Sequence, residues 1–353
     1  MSALATPALI LVFAVAAIAT WVAGLFLSDG TEMVDERFNL GEALGGLILL
    51  GLAGTLPEIA ITVTAALNGH LGLATGNLLG GIAMQTLVLV LLDATSRGRT
   101  PLSTLSHVLE PIVEALLVIA MMSLALLGPL LPASVAIGSV SPISILLAVT
   151  WLGGLVVIQK LSKDERWQAA REMLKTAVVA PAPAPAARVR PNRFQTSKTA
   201  MVIAAFAAAS AVTLIAGVVL AQSGNALANR WGISGVIFGA TILAGVTALP
   251  EISTGIRAVR LGHVGLAIGD IFGGNQVQLT LFLVADLLAG KPVLHSVSTS
   301  STWLGGMGAI VTAIFAVGLV VRPRRKVLGV GPDSLLVVLA YALGIWGLAV
   351  IAS

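Results

Sequence analysis

Ten apolar runs, each of about 20 residues or more, constrain this chain before anything else does, because a helix of that length spans a bilayer. They cover residues 7–27, 40–66, 71–93, 105–127, 134–158, 199–221, 233–259, 264–289, 301–321 and 333–352. With 57% hydrophobic and 10% charged residues and a mean hydropathy of +1.00, a pair of soluble domains is excluded. The runs are continuously apolar and do not alternate, so they predict helices and not barrel strands. The expected fold class is therefore all-α, a polytopic membrane protein with ten transmembrane helices.

The charges report orientation. With the N-terminus outside, 18 of the 20 Lys and Arg residues fall in inside loops, and only Arg230 and Lys291 fall outside. That asymmetry predicts an integral cell-membrane protein with both termini outside. A formal charge of +4 does not point to nucleic acid, because the basic residues lie between membrane runs and form no binding surface. No cysteine is present, so disulfides and thiolate metal sites are excluded. The first run lacks a basic flank and is expected to be a retained helix, not a cleaved signal peptide. Between Lys160 and Lys198 the composition turns charged, then Pro- and Ala-rich from Pro181 to Pro185. This predicts a cytoplasmic linker, 161–198, between two five-helix halves, 1–160 and 199–353. The stretch from Ser162 to Lys175 is expected to form an amphipathic surface helix anchored by Trp167.

Within the second run stands Leu56-Pro57-Glu58, an acid behind a helix breaker, and 193 residues later Leu249-Pro250-Glu251 repeats it in the seventh run. Laying 56–93 over 249–286 without a gap gives 15 identities in 38 positions, among them Pro, Glu, His, Gln and Asp. Chance matching of Leu, Ala and Gly does not align those residues at one offset. Five runs separate the copies, so they cross in opposite directions. Inverted repeats with interrupted helices at matching positions point to a secondary transporter whose site lies at the repeat interface.

Each proline removes an amide donor and disrupts the turn before it, freeing the carbonyls of Ala53 and Val246 and loosening Gly54 and Thr247. Free backbone oxygens at membrane depth are tolerated where they line a cavity or bind something. With Glu58 and Glu251 they make a hard-cation environment, to which Asn77, Gln85, Asp270, Asn275 and Gln278 are candidate contributors. Asn77, Gly81 and Gln85 share one helix face. Other polar groups have blander expected roles. The acidic stretch Asp29, Glu32, Asp35 and Glu36 reads as a solvated loop. Glu110 and Glu114 read as interfacial acids reaching water, although two such acids could also bind a cation or relay a proton. His70 and His263 read as turn residues, and Asp93 and Asp286 as caps at segment ends.

These motifs resemble those of the cation/calcium antiporter superfamily, which includes the sodium/calcium exchangers. The first family motif appears as Gly54-Thr55-Leu56-Pro57-Glu58 and Thr247-Ala248-Leu249-Pro250-Glu251, the second as Gly76 to Gln85 and Gly269 to Gln278. The resemblance implies ten helices in two inverted five-helix repeats. It also implies that Glu58, Glu251 and the carbonyls of Gly54 and Thr247 coordinate Ca2+. Gln85 and Gln278 stand where exchangers carry Asn or Asp; Gly81, Gly274, Thr55 and Ala248 stand where they carry Ser. Sodium-associated hydroxyls are therefore missing, and Thr55, Asn77, Gln85, Asp270, Asn275 and Gln278 are candidates for supporting or coupling-ion roles. The function expected is Na+-driven export of Ca2+ by alternating access, with Ca2+/H+ or other cation antiport as the alternative and a cation channel as the reading from another class. No nucleophile and base pair marks an enzyme, and neither a cofactor nor an obligate protein partner is expected.

Overall fold

A computed structural model describes residues 1, 4–38, 51–96, 98–106, 109–177 and 193–352. It is helical throughout this range apart from turns and two isolated bridges, Ile137 with Val140 and Val327 with Val330. The order is α1 (Thr6–Phe38), α2 (Gly51–Gly54), α3 (Leu56–Leu67), α4 (Leu71–Thr95), the short α5 (Leu102–Leu105), α6 (Glu110–Leu127), α7 (Pro142–Lys163) and α8 (Glu165–Ala177). The second half holds α9 (Thr199–Trp231), α10 (Gly235–Phe238), a π-helical turn (Gly239–Leu243), α11 (Ala244–Thr247), α12 (Leu249–Leu261), α13 (Val264–Ala289), α14 (Thr299–Val321) and α15 (Pro332–Ala352).

Among the described residues, eight helices are long and apolar enough to cross a membrane, and the bent pair 235–247 with 249–261 makes a ninth. The first part of the expected second crossing, residues 40–50, lies outside the described residues, as does the Pro181–Pro185 stretch of the linker. The α8 helix falls on the stretch expected to be amphipathic, with Trp167 half-buried on it.

The acidic stretch after the first run is helix and not loop. α1 continues as one 33-residue helix to Phe38, and Asp29 is buried, paired with Arg257 of α12 and with Arg193 at 3.3 Å. Hydropathy falls there, but the helix persists because its polar end packs on protein and not on lipid. The guanidinium of Arg193 also lies 4.5 Å from the centre of the Phe26 ring.

The interior is built on α4 and α13, the two most enclosed long helices, packed against α6 and α14. α1, α7, α9 and α15 keep most of their surface outward, as helices facing lipid do. α1 and α9 pair along their lengths, and each also touches one proline-bearing helix. A Cβ at Gly24 of α1 would stand 2.6 Å from Pro250 Cβ, and one at Gly217 of α9 would stand 2.5 Å from Ala60 Cβ and 3.1 Å from Pro57 O. Gly24 and Gly217 share the 193-residue offset of the two prolines, so equivalent glycines admit equivalent close approaches, each from the opposite half of the chain.

The segment-end aspartates form a second equivalent pair. Asp93, closing α4, accepts from Leu102 N at 2.8 Å, Gly331 N at 2.5 Å and Ser334 Oγ at 2.7 Å. Asp286, closing α13, accepts from Val293 N at 2.6 Å and Ser141 N at 2.9 Å. Each carboxylate ties a central helix to the start of the last helix of the other half. The histidines sit in turns as expected: His70 and His263 precede α4 and α13, each after a glycine of positive φ, Gly69 and Gly262. His70 Nε2 also lies 3.1 Å from Asn225 Nδ2.

Candidate cation site

Both proline-bearing helices are broken where their prolines require it. Thr55 is a turn between α2 and α3, and Ala248 a turn between α11 and α12, so Pro57 and Pro250 occupy the first turn of a new helix, where a missing N–H costs nothing. The second break bends its span by 43°. Just before it the helix widens into the π turn at Gly239–Leu243, a local irregularity that recurs at functional sites.

Glu58 and Glu251 then stand at the starts of α3 and α12, both buried, each with an Oε2 that has no hydrogen-bond partner among the described residues. The two halves meet here. Thr247, at the break of the second half, donates its hydroxyl to Ala244 O at 3.2 Å within its own turn. Gly54, at the break of the first half, faces the second: a Cβ built on it would lie 3.9 Å from Glu251 Oε1 and 4.0 Å from Asp270 Oδ1. Gly54 and Thr247 are equivalent positions by the same offset. Glu251, Asp270 and Gly54 open on a cleft lined also by Gly24, Ser28, Thr213 and Thr254.

The remaining candidates divide into two groups. Asn77 and Asn275 are buried with both side-chain polar atoms lacking a partner among the described residues, and Gln85 leaves its Oε1 in the same state. Asn77 is the positional equivalent of Asp270, a match that the 193-residue offset makes available in the sequence. Gln278 is drawn away from the cleft: its Nε2 donates to Asn77 O and to Leu78 O, both at 3.0 Å. It reaches them through the space left by Gly81, where a Cβ would stand 2.5 Å from that nitrogen. The Thr55 hydroxyl donates to Gly51 O at 2.9 Å within its own turn.

Glu114 departs from its expected place. Glu110 is half-buried and accepts from Leu109 N at 3.0 Å, but Glu114 is 2% exposed, one turn further into the bundle. Its carboxylate lies against Gly269 of α13, a neighbour that no pattern local to α6 reveals. Sequence reasoning also passed over Ser28, Thr213 and Thr254, small polar residues whose place on the cleft depends on how α1, α9 and α12 meet.

No group of three or more His, Cys, Asp or Glu side chains is spaced to hold a metal ion among the described residues. What is assembled instead is two buried carboxylates with broken-helix backbone, amide and hydroxyl groups around them. Oxygen donors of that kind suit a hard cation, and buried oxygens without protein partners would otherwise carry a desolvation cost with nothing to offset it. Fold and site together define a polytopic helical membrane protein with an acid-lined cleft at the junction of two broken helices.

Comparison with known proteins then gives the family. The family model described as "Sodium/calcium exchanger protein" matches residues 8–160 and 201–350, and the chain belongs to that family of cation/calcium exchangers. It is 27% identical over 277 residues to a putative antiporter, CaxA, of Alkalimonas amylolytica, covering 78% of this chain and 79% of that one. Its fold is similar to that of the H+/Ca2+ exchanger CAX, with a TM-score of 0.67 at 13% identity over 98% of this chain and 86% of that one. It is also similar in fold to the sodium-calcium exchanger NCX_Mj, with a TM-score of 0.58 at 16% identity over 96% and 97% of the two chains.

Proposed function

We propose that this protein is a secondary antiporter that exports Ca2+ by alternating access, with Glu58, Glu251 and the carbonyls of Gly54 and Thr247 as the coordinating groups. The observation that carries the reading is the pair of buried glutamates, Glu58 and Glu251, each at the start of a helix broken just before its proline, with Gly54 of the first break facing Glu251 of the second. Two broken helices that are equivalent by one offset and bring a buried acid each to one junction are what a repeat-interface transporter requires. The same equivalence, extended by Gly24 with Gly217 and Asp93 with Asp286, supports ten crossings in two inverted halves, 1–160 and 199–353, joined by a cytoplasmic linker, 161–198. In the orientation given by the positive-inside rule, Ser28, Thr254 and Asp270 lie on the inner side of the glutamates, so the cleft is the inward-open route to the site.

The driving ion is the finer point. Na+ is the first expectation from family resemblance, but Gln278 spends its amide on the α4 backbone, and Gly81 and Gly274 offer no hydroxyl. That arrangement favours protons over Na+ as the ion exchanged for Ca2+. Asp270 is read as an acid that raises the negative potential of the cleft. The test is uptake of labelled Ca2+ into proteoliposomes under outward Na+ and outward proton gradients imposed separately. One gradient is expected to drive uptake, and Glu58→Gln or Glu251→Gln is expected to lower it by at least about tenfold, as loss of one of two charges opposing a divalent ion would. Folded protein that moves no Ca2+ under either gradient would overturn the reading. Flux without counterflow would instead indicate a channel.

A further inference from the structure

Beyond the cleft, Glu114 is a buried acid that no cation faces among the described residues. Glu114 sits in the second turn of α6, its backbone oxygen accepting from Gln276 Nε2 of α13 at 3.3 Å, and its side-chain Oε2 without a hydrogen-bond partner among the described residues. Gly269 makes the site possible: a Cβ there would lie 3.2 Å from Oε2 and 3.5 Å from Oε1, so the missing side chain leaves a trough for the carboxyl group. The next residue along α13, Asp270, lines the cleft, so Glu114 occupies the flank of the same helix turn.

The charged side chains that the described helices bring near it are acids. Glu110 precedes it by one turn on α6, about 6 Å along the axis, and Asp270 acts on it from α13. α7 and α14, the other long helices packed on α6, carry no ionisable residue before Lys160 and none from Thr299 to Val321 respectively. Burying a carboxylate there carries a desolvation cost that no cation on the described helices packed against it offsets. A purely structural role is poorly supported, since an oxygen with no partner stabilises nothing.

We propose that Glu114 is a proton-carrying site of the transport cycle, distinct from the Glu58 and Glu251 pair. The proton on its carboxyl group passes to inner water by way of the half-buried Glu110 and returns the same way, and Glu114 stays covalently unchanged. Loss of that proton places a negative charge beside the cleft, which favours a cation there; its return lowers affinity and aids release. This inference rests on the antiporter reading above, and it adds a pH dependence that competition at the two glutamates does not supply.

The test uses the full chain in two measurements. Infrared difference spectra of the parent minus Glu114→Gln at neutral pH are expected to show the C=O band of a protonated carboxylic acid. Its absence would overturn the proposal whether or not the protein transports Ca2+. In proteoliposomes, the parent's net Ca2+ flux is expected to change by about tenfold across its pH midpoint and that of Glu114→Gln by less than about twofold. Ca2+/Ca2+ self-exchange at a single pH is expected to survive in the variant and serves as the check on its fold. An unchanged pH profile in Glu114→Gln would overturn the proposal. If that variant does not fold, Gly269→Ala, which drives a methyl group toward Oε2, is expected to move the parent's pH midpoint, and an unmoved midpoint counts against it. A parent that shows no Ca2+ self-exchange removes the antiporter reading and leaves the infrared result to decide the state of Glu114.

Discussion

Gly81 shows how a residue without a side chain can decide what a site contains. Where a hydroxyl-bearing residue would place an oxygen, this chain leaves room for Gln278, whose amide then bonds two carbonyls of α4. Gly81→Ser should therefore displace Gln278 and lower stability by about 1–3 kcal/mol, the usual cost of overpacking. Shortening the displaced group should restore most of the loss, so Gly81→Ser with Gln278→Asn is expected to melt above Gly81→Ser alone. Thermal unfolding in detergent checks this, and additive losses in the double variant would show that the two positions do not share the space. At the same scale, Glu58 and Glu251 were legible in the sequence because a proline and an acid in an apolar run are each improbable, and both recur at one offset. Gly54 was legible as a candidate too, but that it faces Glu251 of the other half was not, because that contact is made across the junction.

At the scale of elements, the aspartates that close α4 and α13 do equivalent work in unequal electrostatic settings. Asp93 is fully buried and has the buried Lys326 ammonium 3.5 Å away, an ammonium that also donates to Ser96 Oγ at 2.8 Å and to the Asp93 carbonyl. Asp286 has no lysine beside it among the described contacts; His295 Nε2 lies 3.3 Å from Ser141 Oγ at the same junction. Removing Asp93 strands a buried cation, whereas removing Asp286 strands amide donors only. Asp93→Ala should thus cost about 3–5 kcal/mol and Asp286→Ala about 1–3 kcal/mol. Urea or thermal unfolding of the two variants side by side tests the order, and an equal or reversed loss would count against the account. That these residues cap was expected from their place at segment ends; that each joins the two halves was not, since the partner helix begins far away in sequence.

For the whole molecule, the orientation assigned by basic residues carries a direct test that the composition makes simple. The natural chain has no cysteine, so single thiols can be placed without a background. With both termini outside, Lys291→Cys should react with a membrane-impermeant maleimide on intact cells, and Arg166→Cys on α8 only after the membrane is opened. Both positions are exposed. The reverse pattern would invert the topology and place the cleft on the outer face.

Hydropathy and charge are properties of short windows, so the sequence by itself determined the membrane-spanning helices, the expected sidedness, the duplication and the two central acids. The length of α1 escaped it, because a helix end that packs on protein need not stay apolar. Burial is a property of what arrives from elsewhere in the chain, and only the tertiary structure decided it. Asp29 became an ion-paired buried residue because α12 and the end of the linker meet it there. Glu114 became a buried acid because Gly269, on a helix of the other half, has no side chain to keep the carboxyl group out.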